Sequence, residues 1–364
     1  MILKGNSFSF IAIRGKQAKS EFFTIMCPMN LIPKLLVYDE AKLAPEIRAQ
    51  RTLNKARIPE ITNYILDNPN DYIFSAMTVS VDGEVIFEPI EDNSTKYNIG
   101  QLTISMDSTM LINDGQHRYA AILSALKKNP ELGNEEIPIV LFRDSGLKRS
   151  QQMFADLNKH AIKPTRSLGI LYDYRAPLSL LAKELISSVP TFNGLVEVEK
   201  TTISNRTNKL FTLSSIFQAT KSFLRKKDKD LISDDEKSLA KDYWRIVSEN
   251  IPEWQAAKGG EVSCAELRKK TIIAHGIALH AIGIMGSYLV AENPNKWKSQ
   301  VKKLREIDWS RDNSKLWEGR AMVGGRLTKV HNNIILTANV LKKHLGLDFT
   351  PEEGRIEQEF QKGR

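Results

Sequence analysis

Through the first half of the chain the apolar positions fall in short runs of strand length; in the second half they recur at three- and four-residue intervals. Residues 8–13 and 22–27 predict the opening strands of a sheet, followed by a helix at 58–67. Residues 73–81, the pair Asp82-Gly83 and residues 84–87 predict a hairpin, because Asp-Gly suits the tight turns that join antiparallel strands. Residues 101–106 and 109–113 predict two further short strands around Asp107-Ser108, and the continuously apolar run 137–142 predicts a central strand. A helix over 147–159 completes this half. Helical spacing then recurs at 177–188, 212–227, 235–256, 264–291, 294–306 and 326–345. The fold class read from this pattern is α+β. A mixed-sheet domain over 1–175 precedes a mainly α-helical domain over 176–350, with a polar connector at 189–211. Residues 351–364 lack apolar periodicity and are expected to fray.

Residues 271–291 carry no formal charge and approach the length of a membrane span. His275, His280, Ser287 and the interspersed glycines favour a buried central helix instead, and no membrane partner is expected. The 364-residue chain is 41% hydrophobic and 26% charged, an ordinary globular balance that excludes wholesale disorder. Cys27 and Cys264 have neither CxxC nor metal-ligand spacing, so both are expected as buried small hydrophobes in a reducing, cytoplasmic setting. No secretory signal is read at the N-terminus. The net charge of +9 is unevenly placed: residues 1–175 hold 21 Lys+Arg against 20 Asp+Glu, and residues 176–364 hold 31 against 23. A positive field of this kind favours a polyanion such as double-stranded DNA.

The chemistry concentrates at Asp114-Gly115-Gln116-His117-Arg118. Tyr119, Ile122, Leu123 and Leu126 follow at helical spacing, so Gly115 stands where a strand ends and a helix begins. Free N–H groups and the positive end of the helix dipole favour an anion there. Arg118 would clamp phosphate and His117 would donate a proton or relay one. Gly115 would permit close backbone approach, and Asp114 would cap the helix or hold Mg²⁺. Simple turn and capping chemistry accounts for the same five residues almost as well. No GxxxxGK[ST] loop is present, so ATP handling of the P-loop type is excluded. His275 and His280, five apart, do not share a helix face for zinc, and no metal site is expected.

These five residues spell the name of the DGQHR-domain family, which the chain resembles in several further stretches. They are Arg51, Arg57 and residues 58–65; residues 152–159 with Ala161 and Lys163-Pro164; residues 205–213; and Trp317-Glu318-Gly319-Arg320. Together these resemble the DndB family of DNA phosphorothioation (DNA sulfur modification) regulators, over roughly residues 3–345. Gly115-Gln116-His117-Arg118 also resembles the nucleotide-phosphate element of the wider ParB/sulfiredoxin-like superfamily. The resemblance implies a repressor that binds the promoter of the modification genes. It further implies modulation by ATP with Mg²⁺ at Gly115, Gln116, His117 and Arg118, joined across a cleft by Asp156, Asn158 and Lys159. Asp114, His117 and Arg118 would then serve a weak ATPase. The competing readings are a nucleotide hydrolase or DNA-processing enzyme, and a subunit that docks on other phosphorothioation proteins. A homodimer would suit a palindromic operator. The candidate DNA contacts are Arg206 and Lys209 on the connector and the clusters Arg225-Lys226-Lys227 and Arg268-Lys269-Lys270, each of which is equally a solvated surface when taken alone.

Overall fold

The computed structural model describes residues 6–36, 54–90, 98–143, 152–153, 156–157, 164–204, 206–228 and 230–363. Arg51, Asn158, Lys159, Lys163, Asn205 and most of the expected 147–159 helix lie outside them. The chain divides into two compact units, Met1–Ile162 and Lys163–Arg364. This break precedes the expected one at 175, because helix α3 (Arg166–Tyr172, named in sequence below) folds with the second unit. Ile170 lies in that unit's core, and Ser167 Oγ donates to Lys200 O at 2.9 Å.

The first unit is built on seven strands: β1 (Ser7–Gln17), β2 (Ser20–Pro28), β3 (Met77–Asp82), β4 (Val85–Pro89), β5 (Ile99–Ser105), β6 (Thr109–Asp114) and β7 (Glu136–Arg143). Their order is β4-β5-β1-β2-β7-β3-β6, antiparallel throughout except for the parallel β3–β7 pair. Period-two alternation sends Met77, Val79 and Val81 of β3 and Ile137, Ile139 and Leu141 of β7 to one face. There they pack with Ile65 of α1 (Arg57–Asp67) and Ile122 and Ala125 of α2 (Gln116–Lys128). Thr78, Ser80, Val140 and Phe142 alternate onto the opposite face.

The expected β3–β4 hairpin does not form. Gly83-Glu84 and residues 106–108 connect strands from opposite ends of the sheet order, so the sheet must curl until those ends meet. Arg143 Nη2 donates to Val85 O at 2.9 Å across this closure. Asp82-Gly83 therefore makes a corner: β3 bonds to β6 and β7, and β4 bonds to β5. A two-residue link serves a corner as well as a hairpin, and the alternation of Val79 and Val81 is satisfied by either.

The second unit contains α3, α4 (Pro177–Ser188), α5 (Leu213–Leu224), α6 (Asp234–Glu249), α7 (Pro252–Gly259), α8 (Cys264–Lys270), α9 (Gly276–Glu292), α10 (His331–Leu345) and α11 (Pro351–Lys362). Its core takes in Trp244, Trp254, Trp309 and Trp317, all essentially removed from water, each burial contributing about 2–3 kcal/mol. The uncharged run is the central helix α9, packed between α5 and α10. At Gly283 a β-carbon would stand 2.2 Å from Ala219 O, so the small residue is there for close helix approach. Among the described residues no helix is long and apolar enough to cross a membrane.

Three expected boundaries move. The single helix over 264–291 is broken at 271–275, where Thr271 bridges Ser310 and Ile272 N–H donates to Trp309 O at 2.9 Å. Pro252 divides the helix expected over 235–256 into α6 and α7. The segment expected to fray is helix α11, started by a reciprocal Thr350–Glu353 capping box. It is anchored by buried Ile356, by the Arg320–Glu357 ion pair at 2.5 Å and by Lys342–Glu353 at 2.7 Å. Charged residues that pair inward give no apolar period to read.

Candidate functional site

The Asp114–Arg118 segment sits where its spacing predicts, with β6 ending at Asp114 and α2 starting at Gln116. Gly115 between them has φ +105°, a conformation that favours glycine, and a β-carbon there would meet Met77 Cγ at 2.7 Å. α1 runs parallel to α2 with both helix starts at this corner. Asn54 N–H donates to His117 Nε2 at 3.0 Å, and one turn on Thr62 Oγ1 reaches Ala121 O at 3.4 Å. Neither helix start has a side-chain cap, so two positive dipole ends lie side by side with Arg57 at the first turn of α1.

The side chains at this corner are largely occupied by the protein itself. Arg118 Nη2 pairs with Asp114 Oδ2 at 2.6 Å and reaches Ala76 O at 3.3 Å, while Nη1 donates to Ser75 Oγ. With 18% of its side chain exposed, Arg118 ties α2 to the residues entering β3. Gln116, expected to face a ligand, is buried and donates from Nε2 to Ile112 O at 3.1 Å. Burial, then the charge of Arg57, lowers the pKa of His117 against a smaller opposing pull from Asp114. The imidazole is therefore neutral near pH 7, its Nε2 an acceptor rather than a phosphate donor. Asp156 accepts Gln152 Nε2 at 2.7 Å. It lines a hollow of about 520 Å³ with Thr78, Val140, Phe142, Met153 and Leu157, on the sheet face opposite the α2 core. Its described partner is thus Gln152, not a residue of the 114–118 corner.

The expected DNA contacts fare unevenly. Arg268 is only 6% exposed, and its guanidinium donates to Lys209 O and to Ser204 O (3.0 Å), clasping the connector from within. It is a structural residue, missed as such because three consecutive basic residues read as surface. Lys209 Nζ donates to Gly194 O at 2.8 Å. Arg225, at the left-handed end of α5, donates to Ser287 Oγ at 3.0 Å and lies over Tyr288. Lys226 pairs with Glu236 at 2.8 Å and Lys270 with Glu266 at 2.7 Å. Arg206, Lys227 and Lys269 are exposed and have no carboxylate partner among the described residues.

A second concave region was not visible in the sequence. The break at 271–275 opens a hollow of about 820 Å³ at the start of α9, lined by Thr201, Ser215, Arg268, Lys269, Lys270, His275, Gly276, Arg311 and Lys329, with Glu266 as its carboxylate. Burial above all drives His275 and His280 down to a pKa of about 4, with Lys329 and other cations adding to the fall. Burial also lowers the pKa of Lys329. Arg311 and Lys329 lie far from α9 in sequence, so no spacing rule could have gathered them. Among the described residues no group of three or more His, Cys, Asp or Glu could hold a metal ion. The thiol of Cys27 is buried and pushed up to about 12, and Cys264 is likewise buried and raised.

No curated protein and no solved structure matches the chain. The family model of DndB, described as DNA-sulfur modification-associated, matches residues 10–348, and the chain therefore belongs to the DndB family.

Proposed function

We propose that this chain is a DNA-binding repressor of the DNA sulfur modification genes and that its helical unit makes the DNA contact. Family membership ties it to DNA sulfur modification. The observation that carries the DNA reading is the distribution of charge between the units. Met1–Ile162 holds 18 Lys+Arg against 19 Asp+Glu, whereas Lys163–Arg364 holds 34 against 24. The whole positive excess thus belongs to the helical unit, as phosphate neutralisation would require. Arg206, Lys227 and Lys269 are the members of the expected set left free of carboxylates to meet a backbone.

Within this reading the Asp114–Arg118 corner is a brace. An ATP phosphate there would have to compete with Asp114 for Arg118, and His117 offers Nε2 as an acceptor. The strand–glycine–helix turn with its parallel helix pair supports a ParB/sulfiredoxin-like ancestry for the sheet unit.

Mobility shifts on a duplex carrying the promoter of the modification genes test the proposal across a salt series. Affinity should fall steeply with salt, by a log–log slope of about −0.9 per phosphate neutralised. Lys227→Glu with Lys269→Glu should weaken binding and flatten that slope. Absence of a shift at low salt would remove the DNA reading.

A further inference from the structure

We propose that the hollow at the start of α9 is a binding site for a small nucleotide, its phosphates held at the helix start and its base in the adjoining recess. This goes beyond the DNA reading and does not depend on it.

Four features converge. The chain breaks at 271–275 and restarts as a 17-residue helix whose N-cap, His275, supplies no side-chain cap. The His275 ring is instead engaged with Arg268 O at 2.7 Å. The N–H groups of the first turn, from Gly276 onward, therefore face the hollow with the positive end of the helix dipole behind them. The Lys329 ammonium lies directly over this turn, for a β-carbon on Gly276 would come within 3.1 Å of its Nζ. Although Lys329 as a residue reaches solvent, its ammonium is dehydrated enough to lower its pKa, and no described carboxylate pairs with it. A dehydrated, unpaired cation is unfavourable unless something else supplies the negative charge.

Arg311 adds a guanidinium held by carbonyls alone, Lys269 O at 3.3 Å and Gly325 O at 2.8 Å. Its charge is thus positioned but not neutralised. Across the wall Arg268, Lys269, Lys270, Arg311 and Lys329 face the single carboxylate of Glu266, which Lys270 already engages. The region is a concave positive field of the kind that selects phosphate.

A second hollow of about 200 Å³ shares Thr201, Ser215, Gly276 and Lys329 with the first. Its remaining walls include Ile277, Ile334, Gln218 and His280, apolar surface with a few polar groups, which suits a base and its ring edges. The larger hollow falls within the roughly 300–1,000 Å³ typical of small-molecule sites. A duplex backbone follows exposed surface and would not place a phosphate against a dehydrated ammonium, so a free nucleotide is the favoured source of the phosphate.

Calorimetric titration of the full-length chain, without DNA, tests this with ATP, adenosine and inorganic phosphate as probes. ATP should bind, phosphate should bind more weakly in competition with it, and adenosine should not bind detectably. Lys329→Gln and Arg311→Gln should each weaken ATP by at least about tenfold with unchanged melting curves, Lys329→Arg should retain most of the affinity, and Arg57→Gln at the other corner should leave it unchanged. ATP binding no tighter than inorganic phosphate would overturn the nucleotide assignment. The site itself would be overturned by absence of ATP binding, or by binding that Arg57→Gln abolishes and the Lys329 and Arg311 variants do not affect. Loss of the promoter shift with ATP binding intact would count against the DNA reading alone.

Discussion

Two corners of this molecule begin with the same ingredients and end differently. Each has an uncapped helix start, a glycine and basic side chains: Gly115, His117 and Arg118 at α2, and Gly276, Arg311 and Lys329 at α9. At α2 the chain supplies its own anion, since Asp114 takes Arg118 and Ser75 and Ala76 complete its shell. At α9 no such anion is supplied to Lys329 among the described residues. The lesson is that a motif with the composition of an anion site reports where charge is needed, and that the protein itself can meet the need. A residue kept for folding and a residue kept for a ligand should respond oppositely to removal.

The largest expected effect is on the acid stability of the helical unit. His275 and His280 have folded-state pKa values of about 4, below the ordinary 6.5 of an exposed imidazole. As pH falls below about 6.5 the unfolded chain takes up protons that the folded chain refuses, so stability declines from there and the loss is complete below about pH 4. Each histidine contributes on the order of 3 kcal/mol to that loss. All 5 tryptophans, Trp244, Trp254, Trp297, Trp309 and Trp317, lie in this unit, so tryptophan fluorescence isolates it. Denaturant midpoints at pH 7 and pH 5 should differ markedly by this probe, and less after His275→Gln with His280→Gln. Equal midpoints would mean that the imidazoles are not held neutral.

Next in size is Arg118→Met. It leaves Asp114, Ser75 and Ala76 O without their partner and should destabilise the sheet unit by about 2 kcal/mol, a figure kept modest because Asp114 is nearly half exposed and water screens the pair. Far-UV circular dichroism should register the earlier unfolding while the tryptophan-reported transition stays in place. Gly115→Ala follows at about 1–2 kcal/mol, from φ +105° and the contact with Met77. Retained stability there would mean that the corner relaxes at little cost.

How much of this was legible before the structure follows from the range of the interactions. The alternation of Ile137, Ile139 and Leu141 and the helical spacing after Gly115 depend on neighbours in sequence, and both were readable. The brace at Arg118 was readable too, because Asp114 stands four residues away, the spacing of a helical ion pair. The β3–β4 corner was not, since a two-residue link is equally good for two geometries and only strand pairing across the sheet chooses. The hollow at α9 was hidden for a stronger reason. Its helix start exists because Ile272 and Thr271 bond to residues 309 and 310, and its cations come from residues 268, 311 and 329.

The smallest expected change is the one that best separates the two corners. Lys329→Met should alter folding stability by no more than about 0.5 kcal/mol, and in the stabilising direction, because it removes a dehydrated charge that no described carboxylate neutralises. Measured beside Arg118→Met in the same denaturant series, the two variants should move apart in sign. A loss of about 2 kcal/mol on removing Lys329 would show that its ammonium serves the fold as Arg118 does, and the contrast between a braced corner and an open one would dissolve. If the sign is as expected, the stability forgone in keeping a lysine at 329 has to be recovered elsewhere, and binding of an anion is the process that recovers it.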